Sequence, residues 1–194
     1  MKEDYLLNSS VLRIEAEDFI KRIKLEDVLS KEGNIHYAGS YKFDMMCWRD
    51  IDIILELEDG KNPKDVLLNI ITKFIHSESI RDIHFFDNFN FKVKDGLPKG
   101  HYLGFDIEDT RIIENWKIDI WILDKEDYIS SMKFMKEIDM KITEELKNLA
   151  INVKYKLKGK NHRVPSTMSF KVYKAIFNDG LRDESEIIKY VNNA

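Results

Sequence analysis

The spacing of apolar residues changes rhythm several times along this chain, and each change marks an element. Ser10 to Glu32 reads as helix, with Ile14, Phe19, Ile20, Ile23, Val28 and Leu29 recurring at helical intervals among charges. Gly33-Asn34 ends it. Ile35 to Ser40 is a short strand ending at Gly39, and Ser40–Arg49 is a loop or a single helical turn. From Asp50 to Glu58 polar and apolar residues alternate, the period of a strand. Asp59-Gly60-Lys61-Asn62-Pro63 is a turn, and Pro63 opens a helix to about Ser77 with Val66, Leu67, Ile70, Ile71 and Phe74 inward. Three strands follow at Ile80–Phe86, His101–Glu108 and Trp116–Leu123. The first two are separated by a loop or irregular hairpin at Asn88–Gly100, which contains Gly96 and Pro98. The last two are joined by a hairpin turn at Asp109–Asn115.

Beyond Asp124 the period is helical throughout. A long amphipathic stretch runs to about Lys156, with Met132, Met135, Ile138, Ile142, Leu146 and Leu149 on one side. Lys154–His162 is basic and breaks at Gly159; Ser166–Asn178 and Asp183–Asn192 are two closing helices around Asp179-Gly180. The pattern predicts an α+β architecture. A mixed sheet flanked by helices fills residues 1–124, and a helical portion, residues 125–194, packs on it.

Composition narrows the possibilities. The chain has 194 residues, 43% of them hydrophobic and 11% aromatic, which supports a buried core. A formal net charge of −4 without a basic tail gives little support to non-specific binding of long nucleic acid. One cysteine, Cys47, excludes a disulfide within the chain. It has no local helper that would make it a nucleophile. The charged opening Met1-Lys2-Glu3-Asp4-Tyr5 lacks a signal-peptide core, and no apolar run approaches the ~20 residues of a membrane span. A cytoplasmic protein is expected.

The candidate chemistry lies where the first long strand begins. Asp50 and Asp52 are one residue apart on a strand, so they point to the same face with Cα atoms roughly 6–7 Å apart. Two carboxylates at that spacing can share hard divalent cations such as Mg2+. In Trp116–Leu123, Trp116, Ile118, Ile120 and Ile122 share one face, and Asp119 shares the other with Lys117, Trp121 and Leu123. If the two strands are neighbours with matching faces, Asp119 meets the pair as a third ligand or as a base. Gly39-Ser40 supplies a complementary half: glycine admits a phosphate close to the backbone, and the serine hydroxyl and nearby amides donate to it. Taken singly, Asp-x-Asp is an acidic strand face and Gly-Ser a turn; the conjunction points to metal-assisted phosphoryl or nucleotidyl transfer.

Ala38-Gly39-Ser40, Asp50-Ile51-Asp52 and Asp119 together resemble the nucleotidyltransferase superfamily with a DNA-polymerase-beta-like core. That family's signature is an apolar residue before Gly-Ser or Gly-Gly, a short gap, Asp-x-Asp or Asp-x-Glu in a strand, and a third acid on a later strand. The resemblance covers roughly residues 10–125. It implies transfer of a nucleoside monophosphate from a nucleoside triphosphate, with release of pyrophosphate. It also implies two Mg2+ ions on Asp50, Asp52 and Asp119, and nucleotide phosphates on Gly39 and Ser40. The gap Tyr41–Arg49 departs from the many small members in which it is rich in arginine and small residues. Lys42 and Arg49 are its candidate phosphate ligands, while Met45, Met46 and Trp48 are expected to pack. The helical C-terminal portion resembles that of antibiotic- and small-molecule-modifying members. The expected acceptor hydroxyl is therefore on a small molecule rather than a long nucleic acid, with a macromolecular end as the other option. A fold-retaining but inactive binding or regulatory module, as in a toxin–antitoxin pair, is the competing reading.

The remaining candidates have plain alternatives. His36 is expected to be a packed or capped histidine. His101 and Asp106 either reach the acceptor or lie on a solvated hairpin face. Trp121 can stack on a ring, and Trp116 belongs to the core. The basic run Lys154, Lys156, Lys158, Lys160, His162 and Arg163 reads as a solvated helix end, with contact to a triphosphate or an RNA acceptor as the alternative.

Overall fold

The alternating segments become five strands of one sheet: β1 (Asn34–Ala38), β2 (Asp50–Glu56), β3 (Ile80–Asp87), β4 (Gly100–Asp109) and β5 (Glu114–Leu123), in the order β1-β2-β5-β4-β3. This is a computed structural model that describes residues 5–76, 79–91, 97–158 and 167–193. Strands β2 and β5 run parallel, and every other neighbouring pair is antiparallel. The α+β expectation therefore holds. Gly96, Gly159, Lys160, His162, Arg163, Ser166 and Ser77, which the sequence reading used, lie outside the described residues.

One face of the sheet is covered by an extensive apolar layer. On that face Ile51, Ile53 and Leu55 of β2, Leu103, Phe105 and Ile107 of β4, and Trp116, Ile118, Ile120 and Ile122 of β5 form one cluster. Packed on it are Leu12, Ala16 and Phe19 of α1 (Tyr5–Arg22), Leu25 and Leu29 of α2 (Leu25–Leu29), and Val66, Leu67, Ile70 and Phe74. A short helix, α3 (Gly39–Lys42), follows β1, and α4 (Pro63–Phe74) follows β2. A second cluster joins Ile54 of β2 and Phe43, Met45 and Cys47 of the gap to the C-terminal helices, among them Met135, Ile138, Ala150, Ile151, Val153, Val172 and Ile176. The bulk of the gap segment is thus anchorage, as expected for Met45 and Met46, which are both fully buried. Among the described residues no helix is long and apolar enough to cross a membrane.

Two stretches expected as continuous helix are each two helices. The first breaks at Lys24, whose φ of 53° is left-handed. The turn there folds Leu25 and Leu29 onto the same core as α1, so the apolar period hides the break. The second is α5 (Lys125–Lys141) followed by α6 (Glu144–Leu157). Thr143 caps α6, its Oγ1 accepting from the Leu146 amide at 3.3 Å. Asn62 and Asp124 cap α4 and α5 in the same way, accepting from Lys64 and Asp127 amides at 2.9 Å. Then α7 (Met168–Tyr173) runs into a π-helical turn at Lys174–Asn178, and α8 (Glu184–Asn193) closes the described chain.

Lys154 corrects the reading of a solvated helix end. It is fully buried in α6, and its ammonium donates to the Met45 carbonyl at 2.7 Å and to Tyr173 Oη at 3.0 Å, 4.7 Å from the centre of the Trp48 ring. Burial works against its charge, but Tyr173, Cys47 and Asp52 outweigh that and hold its pKa above the ordinary lysine value. A buried ammonium needs its acceptors. Replacing Tyr173 by Phe removes one of them and is expected to cost about 1–3 kcal/mol of unfolding free energy, read by urea denaturation.

Candidate active site

Parallel pairing of β2 with β5 sets Asp50 against Lys117 and Asp52 against Asp119. Paired positions share a face, so all three aspartates emerge on the side opposite Ile51, Ile53, Ile118 and Ile120. One carboxylate oxygen from each lies within 4.8 Å of the others. The structure thereby assembles the predicted triad. The Gly-Ser turn joins it through the other neighbour of β2, since Ala38, the last residue of β1, pairs with Asp52. Gly39 then has a φ of +56°, and a Cβ placed there would lie 2.0 Å from Asp52 Oδ2. Only glycine satisfies both the dihedral and the approach. Ser40 is buried, and its carbonyl accepts from the Met45 amide at 2.9 Å, closing the turn into the gap segment.

Each acid has its own surroundings. Asp50 Oδ2 accepts from the Trp48 indole at 3.3 Å, whereas Asp50 Oδ1 is buried with no hydrogen-bond partner among the described residues. Asp119 is held on both sides: Oδ1 accepts from Tyr102 Oη at 2.6 Å and Oδ2 from the Lys117 ammonium. Tyr102 reaches across Gly104, where a Cβ would meet its hydroxyl at 2.3 Å. Burial, then the neighbouring Asp119, push the Asp50 carboxyl up to about 6. Burial, then Asp50 and Asp119, hold Asp52 well above the usual carboxylate range. Burial opposes the charge on Lys117, but Asp50, Asp119 and Asp52 together keep it above an ordinary lysine. A buried carboxylate oxygen without a donor, in a cluster of hard oxygen ligands whose acids are raised by crowding, fits a divalent cation such as Mg2+.

Other predicted residues lie apart from the triad. Lys42 pairs with Asp139 of α5 at 2.8 Å. Both line a cavity of about 570 Å3 beside β1, with His36, Tyr37, Lys133 and Lys136 among its walls. Arg49 lies on the other face, pairing with Glu15 of α1 at 2.7 Å, with its guanidinium 5.9 Å from the Trp116 ring. His36 is half-buried and bonded to Glu56 at 2.9 Å. His101 shares the face of Leu103 and Phe105, 3.4 Å from Asp87 and stacked on Phe89, and so turns away from Asp119. Asp106 does share the triad's face, paired in register with Lys117. With Asp82 and His84 it forms a second, largely exposed group whose ligand atoms lie within 4.8 Å. Trp121 packs on Tyr102, and Trp116 is core, stacked on Phe19. Burial raises the Cys47 thiol, consistent with an inert side chain. Sequence reasoning missed Tyr102 and the roles of Lys117 and Trp48 beside the acids. Lys117 alone left a signal, standing two residues from Asp119 on one strand face.

Two outcomes follow from this geometry. Gly39→Ala is expected to cost about 1–2 kcal/mol for the left-handed backbone alone and to displace the Asp52 carboxylate, read as a lowered Tm and a weakened Mn2+ affinity. The second concerns pH. Folded Asp50 and Asp52 hold protons more tightly than the unfolded chain does, so the metal-free protein is expected to lose stability as pH rises from about 4 through about 6. The Asp50→Asn, Asp52→Asn double variant should show a flatter profile in thermal melts across that window.

No family model matches the sequence. No curated protein is detectably similar to it. Solved structures do match. The Cid1 poly(U) polymerase in its MgGTP-bound form aligns over 89% of this chain and 55% of its own, with 10% identity and a TM-score of 0.53. A second Cid1 structure, of an RNA terminal uridylyl transferase, aligns over 89% and 54%, with 12% identity and a TM-score of 0.51. This chain spans about half the length of those proteins. At such identity the likeness is one of architecture: the chain shares the fold of the Cid1 structures.

Proposed function

We propose that the chain is a Mg2+-dependent nucleotidyltransferase that moves a nucleoside monophosphate from a nucleoside triphosphate to a hydroxyl group and releases pyrophosphate. The observation that carries this reading is the in-register meeting of Asp52 with Asp119, with Asp50 beside them and a buried oxygen left open. Mg2+ bound there would neutralise the charge that builds on the phosphate under attack. The chain's own residues do the rest. Asp50 and Asp52 would hold the cation from β2 and Asp119 from β5. The Gly39-Ser40 turn brings backbone against the phosphates without a side chain in the way. Lys117 and Lys154 are the cations that act on the carboxylates, each drawing down the proton affinity of Asp50 and Asp52. Lys42 and Arg49 lie apart from the acids, engaged by Asp139 and Glu15.

For the acceptor, a small molecule gains no support from the comparisons, whereas Cid1 is an RNA terminal uridylyl transferase. An RNA 3′ hydroxyl is the acceptor this reading favours. Lys133 and Lys136 on the wall of the cavity beside β1 suit an anionic strand.

The test is transfer of radiolabel from each of the four NTPs, with Mg2+, to a panel of RNA 3′ ends, tRNA and hydroxylated small molecules. Asp50→Asn and Asp52→Asn are each expected to lower transfer by at least about 100-fold while leaving the circular dichroism spectrum unchanged. Full transfer by the double Asn variant would sink the mechanism. Metal-dependent NTP binding with no transfer to any acceptor would instead mark a regulatory module.

A further inference from the structure

We propose that Lys117 is a tethered counter-ion whose ammonium holds one of the two cation positions of the carboxylate triad while nucleotide is absent, leaving a single position for a divalent ion. The inference rests on the metal-dependent reading above and concerns how that site is filled. Lys117 stands two residues before Asp119 on β5, pairs in register with Asp50, and donates to Asp119 Oδ2. Tyr102 occupies the other oxygen of Asp119. Asp119 therefore has both oxygens engaged by the protein, whereas Asp50 Oδ1 is open. The two ends of the triad are unequal in hydrogen bonding: both Asp119 oxygens are engaged, and Asp50 keeps one oxygen unpartnered among the described residues.

Charge gives the same division. Three ionised carboxylates against the two ammoniums that act on them, Lys117 and Lys154, leave one negative charge, which a single divalent ion more than cancels. Two such ions with both ammoniums in place would set six positive charges against three negative, and only the phosphates of an incoming nucleotide could balance that. The Lys117 side chain is 43% exposed while that of Asp119 is 11% exposed, so the lysine has solvent to swing into and the aspartate stays. Lys154, the other cation acting on the acids, is fixed by Met45 and Tyr173 and cannot exchange in this way.

The experiment is a Mn2+ titration of the full chain without nucleotide, at a pH near 8, followed by calorimetry and by the electron spin resonance of free Mn2+. The wild type is expected to bind one ion. Lys117→Gln is expected to bind a second, and to bind the first at least about tenfold more tightly, because a unit charge a few ångströms from a divalent ion weighs that much even in water. Lys117→Arg restores the tethered charge and should return to one ion at the weaker affinity. Thermal melts keep the test usable if the uncompensated acids weaken Lys117→Gln: its Tm should rise more on Mn2+ addition than that of the wild type. A wild type that binds two ions, or a Lys117→Gln variant with wild-type stoichiometry and affinity, overturns the inference. A wild type whose Mn2+ binding is absent, or indifferent to Asp50→Asn, fails at the metal reading itself.

Discussion

Everything in this structure answers to one electrostatic constraint: three carboxylates are gathered on a patch where they repel one another and are partly cut off from water. Left to themselves they would spread or take up protons. They stay together because their strands are gripped from behind, where Ile51, Ile53, Ile118 and Ile120 are buried in an apolar cluster that fixes the β2–β5 register. The grip also fixes which residues can moderate the repulsion. Lys117 comes from the same strand as Asp119, Tyr102 from the next strand over, and Trp48 from the residues just before β2. Dispersion and hydrophobic burial on one face of the sheet thus sustain an unfavourable charge distribution on the other.

The gap between Ser40 and Asp50 ties that face to the C-terminal helices. Phe43, Met45 and Cys47 pack among them, and the Met45 carbonyl receives the ammonium of Lys154 from α6. Trp48 then lies between that ammonium and the Asp50 carboxylate, its ring facing one and its indole N–H donating to the other. A segment that reads as an irregular departure from a familiar motif is the mechanical link between the helical portion and the acids. Its bulk follows from that position: arginines or small residues there would leave the helices without a seat.

Much of this was legible in the residues themselves. Asp50 and Asp52 fall on one face because strands alternate, and the apolar faces of β2 and β5 announce burial. The order of elements needed no more than turn residues and period. What could not be read was distance across the chain. Nothing local says that β5 lies beside β2 in parallel, nor that Arg49 turns toward Glu15. The breaks at Lys24 and Thr143 escaped because the helices on either side face the same core, so the period continues through the interruption. Lys154 escaped for the opposite reason. Its sequence neighbours are basic and solvent-seeking, and only the fold reveals that it ends on a carbonyl and a phenol.

The β2–β5 ladder also imposes an order in time. The residues between the two strands, with α4, β3 and β4 among them, are synthesised before β5 can slot between β2 and β4. A nascent chain that has not yet exported β5 displays both acids of β2 with neither Asp119 nor Lys117 beside them, and with the helix that supplies Lys154 still unmade. The three acids therefore come together only when the sheet is closed from within.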